Sequence, residues 1–201
     1  MSYYTRVLSQ RADCPRFDQL VGALTERHPG VALSIEEGDA DTWTSLLLAH
    51  ADGTEIASVE RNPVVEGALG MAEVVEFIDE IAGCKPNSAV PWLTSFLRSV
   101  KVIYAFQHLH GSNNTEGAVA LRSISNFIWR RGDAILQADA EGFSNEEGYH
   151  ILWQFSDRAS GPWWMAVRNG DGWLSFQMDL ANQAHRQAFM DGKIPDGVPA
   201  A

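Results

Sequence analysis

Two histidines and two carboxylates are the residues of this chain best suited to chemistry. His108 and His110 lie two positions apart at the end of a predicted strand, so both imidazoles would project from the same face. Asp139 and Glu141 repeat this spacing after another predicted strand. If the two strand ends are neighbours, the four side chains could hold zinc, iron or manganese. This arrangement would need a divalent metal, whereas no other pattern in the chain calls for a cofactor.

The same residues also have a simpler, structural interpretation. Asp139 and Glu141 alone could act as a general acid and base, because neighbouring carboxylates can share one proton. They equally suit a turn in which they accept hydrogen bonds from backbone amides and Gly142 adopts a positive φ. His108 and His110 could likewise be exposed loop residues. We favour the structural interpretation and assign no catalytic residue, but keep the carboxylates as candidate binding residues and the histidines as candidate metal ligands.

Tryptophan is concentrated near the end of the chain. Trp153, Trp163, Trp164 and Trp173 all fall in the last predicted hairpins. Alternation along a strand places Trp163 on one face and Trp164 on the other, together with Arg168. We expect one face to be buried. An exposed Trp164 beside Arg168 would suit a protein-binding hot spot, where both residue types are enriched.

No motif of a common enzyme class accompanies these residues. The sequence has no Gly-rich phosphate loop, no G-x-S-x-G element and no H-E-x-x-H helix. His150 lies on a predicted strand, Tyr149 to Phe155, out of phase with its apolar side chains. We therefore expect His150 to point away from the core, and an enzyme is the less favoured interpretation.

The charge of the chain restricts its partners. The 201 residues carry a net charge of −11, and the first hundred contribute −8 of it, with 7 basic against 15 acidic side chains. The acidic residues concentrate in Glu36–Asp41 and Glu73–Glu80. A negative field repels nucleic acid and anionic membranes but attracts a basic protein. The candidate binding residues of the first stretch are Glu36, Glu37, Asp39 and Asp41.

Cysteine usage and hydropathy predict a cytoplasmic protein. Cys14 and Cys84 are far apart and outside any C-x-x-C pattern, as expected for reduced thiols. No run of about 18 apolar residues predicts a transmembrane helix. The N-terminal residues lack the apolar stretch of a signal peptide. The sequence carries no signal for an oligomeric state.

Apolar periodicity predicts an α+β fold of antiparallel sheets with helices packed on one face. Asp52-Gly53 between two β-rich runs predicts a tight hairpin. A later helix is predicted to begin at a cap formed by Asn113, Asn114 or Thr115 and to end at Gly132. Residues 1–100 and 101–190 each read as strand, helix, strands and helix, which predicts two pseudo-duplicated α+β halves in one compact unit. The alternative is that the halves look alike only because glycine at helix-to-strand junctions and acidic loops are common in proteins. Residues 191–201 would form a flexible tail.

One segment also resembles a known class of proteins. Within residues 132–155, the run ILQADAEGF from Ile135 to Phe143 is followed by GYHILW from Gly148 to Trp153. These runs resemble segments of small acidic immunity proteins of bacterial polymorphic toxin systems. The resemblance implies a cytoplasmic, non-catalytic protein that binds and blocks a toxin.

These observations favour a non-enzymatic, acidic, cytoplasmic binding protein, and immunity-type inhibition of a bacterial toxin is the specific hypothesis. A basic protein is the expected partner, and nucleic acid and membrane are not. The alternative function is a metal-binding protein or small metal-dependent enzyme built on the histidine and carboxylate cluster.

Overall fold

The structure is a computed structural model that describes residues 3–25 and 27–201. Its strands and helices confirm the predicted α+β class. In chain order the strands are β1 (Tyr3–Ser9), β2 (Val31–Glu37), β3 (Ser45–His50), β4 (Glu55–Pro63), β5 (Val102–His108), β6 (Ala134–Ala138), β7 (Gly142–Ser144), β8 (Pro162–Asn169) and β9 (Gly172–Asp179). The α-helices are α1 (Phe17–Thr25), α2 (Leu69–Ile81), α3 (Val90–Ser99), α4 (Thr115–Trp129) and α5 (Gln183–Met190), and a 3-10 turn spans His110–Asn113.

Contacts divide the chain into two compact units. Unit 1 comprises Met1–Met71 and Val100–Ala134, and unit 2 comprises Ala72–Ser99 and Ile135–Ala201. The chain therefore passes between the units three times. These bounds differ from the predicted division at residue 100, because β5 and α4 belong to unit 1 whereas α3 belongs to unit 2.

Unit 1 is built around β5. Its strands lie in the order β2-β3-β4-β5-β1, and each neighbouring pair is antiparallel. Tyr104 at the centre of β5 faces Arg61 of β4 on one side and Val7 of β1 on the other. β5 lies in the second half of the sequence but pairs with two strands of the first half. Strand pairing therefore does not follow the predicted repeat.

Two helices cover one face of this sheet. α1 and α4 contact each other and the strands of unit 1, and their buried side chains include Leu20 and Leu24 of α1 and Ile124 and Ile128 of α4. The side chain of Asn114 accepts a hydrogen bond of 2.8 Å from the amide of Gly117 and caps α4, as its sequence position predicts.

Two glycines allow α4 to begin close to the sheet. A Cβ atom on Gly117 would overlap the carbonyl oxygen of Gly111 and lie 3.2 Å from His50 Nε2. A Cβ atom on Gly111 would in turn lie 2.8 Å from the carbonyl oxygen of Glu55 in β4. Neither position has room for a side chain, so each requires glycine. Backbone contact therefore fixes the start of α4 against β4.

The core of unit 2 lies beneath the hairpin formed by β8 and β9. Phe176 of β9 and Phe189 of α5 are fully buried there, and Met165 of β8 packs with them. The C-terminal segment, which was predicted to be a flexible tail, packs on this core through Ile194 and Val198. It ends in a bridge between Ala200 and Phe176.

The predicted strand from Tyr149 to Phe155 is wrong. Within this segment only His150 pairs with strands, through single bridges to Ser144 and Met165. The backbone then turns away, because the amide of Trp153 donates to the carbonyl oxygen of Lys85 at 2.7 Å. The secondary structure of a short apolar run cannot be assigned from its sequence alone when its pairing partners are distant in the chain.

No helix within residues 3–25 and 27–201 is long and apolar enough to cross a membrane.

The glycine contacts give a matched pair of stability predictions. We expect Gly117→Ala to lower the free energy of unfolding by about 2–3 kcal/mol, because the added methyl group overlaps backbone. Gly22→Ala in α1 should raise it by about 0.5–1 kcal/mol, because among the residues that the structure describes no atom beyond its own helix backbone and chain neighbours lies within 4 Å of its Cβ position and alanine favours the helix. Urea denaturation of both variants measures the difference. Equal effects of the two substitutions would contradict the close contact at Gly117.

Candidate functional site

An acidic loop lies at the end of an edge strand in unit 1. We define it as residues 36–41, which are the last two residues of β2 and the four residues that follow, and β2 is the edge strand of the unit 1 order. The four candidate carboxylates of this loop are all exposed: Glu36, Glu37, Asp39 and Asp41. The structure thus places these four predicted binding residues together on one exposed segment.

This loop is held in one conformation by its neighbours. The ring of Trp43 is fully buried and its Nε1 donates to the carbonyl oxygen of Pro15 at 2.7 Å. The amide of Phe17 donates to the carbonyl oxygen of Ala40 at 2.9 Å, which joins the loop to the start of α1. Gly38 has φ +94°, a conformation that favours glycine. These contacts fix the backbone that carries the carboxylates.

The carboxylates differ in their own contacts. Asp39 Oδ1 accepts hydrogen bonds of 2.9 Å from the amides of Asp41 and Thr42. These backbone hydrogen bonds lower the pKa of Asp39 below its usual value. Asp41 lies 3.1 Å from Arg16, which also pairs with Asp18. Arg16 therefore neutralises only part of the local negative charge.

An aromatic surface covers one face of the hairpin in unit 2. Trp164 is 44% exposed, and its ring centroid lies 5.8 Å from that of Tyr149. Arg168, on the same face of β8, stacks with its Cζ 4.8 Å from the Trp173 ring centroid and donates to the carbonyl oxygen of Gly170 at 2.9 Å. We define the aromatic surface as Tyr149, Trp164, Arg168 and Trp173.

The aromatic surface continues onto α3. Trp92 meets Trp173 edge to face, with 4.9 Å between the ring centroids, and Phe96 follows at 5.6 Å from Trp92. The opposite face of β8 carries Met165 and Val167, which are buried in the core. Ala166, between Trp164 and Arg168 on their face, is also buried, so only the two ends of this face contribute to the aromatic surface.

The predicted metal cluster is not present in the part of the chain that the structure describes. Over residues 3–25 and 27–201 no group of three or more His, Cys, Asp or Glu side chains could hold a metal ion. β5 ends at His108, whose Nε2 lies 3.1 Å from Thr5 Oγ1. His110 begins the 3-10 turn and is exposed. The strand alternation that would align the two rings thus stops before His110.

Asp139 and Glu141 lie in the turn between β6 and β7. The amide of Glu141 donates to the carbonyl oxygen of Ala138 at 3.2 Å. Ala140 between the two acids has φ +62°, and Gly142 has φ +95°. This geometry agrees with the turn interpretation of the pair. Their role as binding residues stays a prediction.

The prediction that His150 points away from the core is wrong. Its side chain is buried, at 9% exposure, between the rings of Phe155 and Trp163 at centroid distances of 5.1 and 4.8 Å. Its Nδ1 lies 3.4 Å from Ser144 Oγ. Burial lowers the pKa of His150 to about 4. The segment is not a strand, so the alternation that pointed His150 outward does not apply.

Comparison with protein-family models, curated proteins and solved structures finds no match to this chain. Function must therefore be inferred from the surfaces of the molecule itself.

The buried histidine predicts a specific dependence of stability on pH. Between pH 6.5 and 4 the unfolded chain binds a proton at His150 that the folded protein excludes, so the free energy of unfolding falls as the pH falls. A shift from 6.5 to about 4 corresponds to roughly 3 kcal/mol. Above pH 6.5 the contribution is fully present. Denaturant titrations at several pH values measure this slope.

A variant without the titrating ring isolates this effect. His150→Phe should flatten the loss of stability between pH 6.5 and 5, whatever its effect on absolute stability. His110→Asn, at an exposed histidine, serves as the control and should keep the wild-type slope. A wild-type slope in His150→Phe would show that other groups cause the pH dependence.

Proposed function

We propose that this chain is a non-enzymatic binding protein whose acidic loop recognises a basic protein. The observation that carries the proposal is the fixed, exposed arrangement of carboxylates in residues 36–41. A binding surface that is already ordered loses little conformational entropy on association. Exposed charges of one sign also accelerate encounter with a partner of opposite charge. The net charge of −11 favours the same class of partner.

The aromatic surface supports a second contact in unit 2. Trp, Tyr and Arg are the residues most enriched in protein-binding hot spots. Stacking of Arg168 on Trp173 holds the guanidinium in place, so little side-chain freedom would be lost on binding. Trp164 exposes a large apolar ring that a partner could bury.

The specific activity we propose is immunity-type inhibition of a bacterial toxin in the cytoplasm. Support comes from the resemblance within residues 132–155 and from the acidic character of the chain. Such an inhibitor needs a rigid surface complementary to a basic target and no catalytic machinery of its own. The acidic loop would supply charged contacts to such a target, and the aromatic surface would supply apolar contacts.

Charge reversal tests the role of the acidic loop. Glu36→Lys combined with Glu37→Lys should reduce capture of basic partners by at least about tenfold, because like charges then meet across the interface. The tagged protein is incubated with extract of its source organism, and captured proteins are identified and quantified by mass spectrometry. Wild-type capture should decrease as salt is raised.

A matched variant distinguishes a local effect from a change in net charge. Glu76→Lys with Asp79→Lys makes the same charge change on exposed positions of α2 and should leave capture close to wild type. Circular dichroism checks that both variants are folded. If both variants lose capture equally, nonspecific attraction to net charge explains the binding. If the wild type and both variants capture partners equally, the acidic loop is not part of the binding surface.

Truncation of Trp164 tests the aromatic surface. Once a partner has been captured, Trp164→Ala should weaken its affinity by about 2 kcal/mol or more, as is typical of a hot-spot tryptophan. Leu174→Ala is the control, because Leu174 is 37% exposed but lies on the other face of β9 from Trp173. Calorimetric titration measures both affinities. Equal affinities of the wild type and Trp164→Ala would exclude this surface from the interface.

A further inference from the structure

A polar groove runs between α1 and α4 in unit 1. It has a volume of about 610 Å³, which lies within the usual range for small-molecule sites. Its walls include three arginines and one aromatic ring: Arg27, Arg130, Arg131 and Phe127. Ser123 and Asn126 of α4 add hydrogen-bonding groups. The groove lies within one compact unit and uses none of the acidic-loop carboxylates.

The two helices that form the groove are antiparallel. His28, just after α1, lies 2.9 Å from Ser123 Oγ, whereas Gln19 near the start of α1 accepts a hydrogen bond of 3.4 Å from Arg131. Ser123 and Arg131 are separated by roughly 12 Å along the axis of α4. Arg27 therefore lies towards one end of the groove, and Arg130 and Arg131 lie towards the other.

The arginines of the groove carry a local excess of positive charge. Within residues 3–25 and 27–201, neither Arg27 nor Arg130 forms an ion pair with a carboxylate. Arg131 pairs with Asp13, which also binds Arg11. Asp13 thus neutralises one of two arginines and holds Arg131 at the groove. In a protein of net charge −11, three arginines around one groove suit an anionic ligand.

Gly22 gives an independent indication that the groove is kept open. It lies in the middle of α1 and lines the groove, and within residues 3–25 and 27–201 no atom beyond its chain neighbours and the backbone of its own helix lies within 4 Å of its Cβ position. Neither a close contact nor a positive φ requires glycine there. Glycine inside a helix costs about 1 kcal/mol relative to alanine. Gly22 therefore leaves α1 without a side chain at this position of the groove.

We propose that the groove binds a small molecule bearing a di- or triphosphate. Arginine binds phosphate oxygens through two parallel N–H groups, and arginines at both ends of the groove can hold a chain of phosphates. The ring of Phe127 and the amide of Asn126 offer a surface for an attached organic group. The volume suits a ligand of nucleotide size and is too small for a folded protein partner.

Calorimetric titration of the full chain at low ionic strength tests this proposal with two probes, sodium pyrophosphate and magnesium-free ATP. Both should bind saturably, and ATP should bind more tightly if Phe127 contacts the organic group. Arg27→Ala combined with Arg130→Ala should weaken both affinities by at least about tenfold. Sodium sulfate at matched ionic strength should not compete with either probe.

Two further variants keep the test independent of folding and net charge. Arg98→Ala with Arg122→Ala removes the same charge from exposed positions outside the groove and should bind the probes as the wild type does. Gly22→Leu fills the groove without changing charge and should abolish binding while the protein stays as stable or becomes more stable. No saturable binding to the wild type at millimolar probe would overturn the proposal. Unchanged affinity for both probes in the variant that combines Arg27→Ala with Arg130→Ala would also overturn the proposal.

Discussion

The burial of β5 is the constraint on which the rest of unit 1 depends. Residues 102–106 of this strand are buried without exception, so both its faces must be covered and both its edges must be paired. β1 and β4 supply the paired edges, and α4 contacts both of these strands. Once β4 is fixed, the Asp52-Gly53 turn places β3 and then β2 at the outer edge. The acidic loop is exposed because it leaves this last strand.

The same framework determines where opposite charges can accumulate. The acidic loop lies at the end of β2, whereas the arginines follow the ends of α1 and α4. Cations near a helix C-terminus are favoured by the helix dipole, which accounts for Arg130 and Arg131 as neighbours of the last turn of α4. The dipole does not account for the open space beside them or for Gly22 in the facing helix. Net charge alone describes neither surface, because it averages a fixed acidic loop with a basic groove.

Local signals in the sequence predicted the parts of the fold that local physics controls. Asp52-Gly53 forms the expected hairpin, with Gly53 at φ +87°, and Asn114 caps the expected helix. The errors concern residues whose environment is set by distant partners. His150 is buried by Trp163 and Phe155, and its backbone pairs with that of Trp164. No pattern within residues 149–155 encodes these contacts, so alternation pointed the ring in the wrong direction.

The groove was missed for a related reason. Arg27 and Arg130 are about a hundred positions apart in the sequence, and only the antiparallel packing of α1 on α4 brings them to one groove. The one local signal was Gly22, a poor helix former in the middle of an otherwise regular helix. Natural sequences depart from such local preferences mainly at functional positions, where the loss of stability is offset elsewhere in the fold. A helical glycine with open space around it is therefore more informative than Gly117, whose role backbone contact already explains.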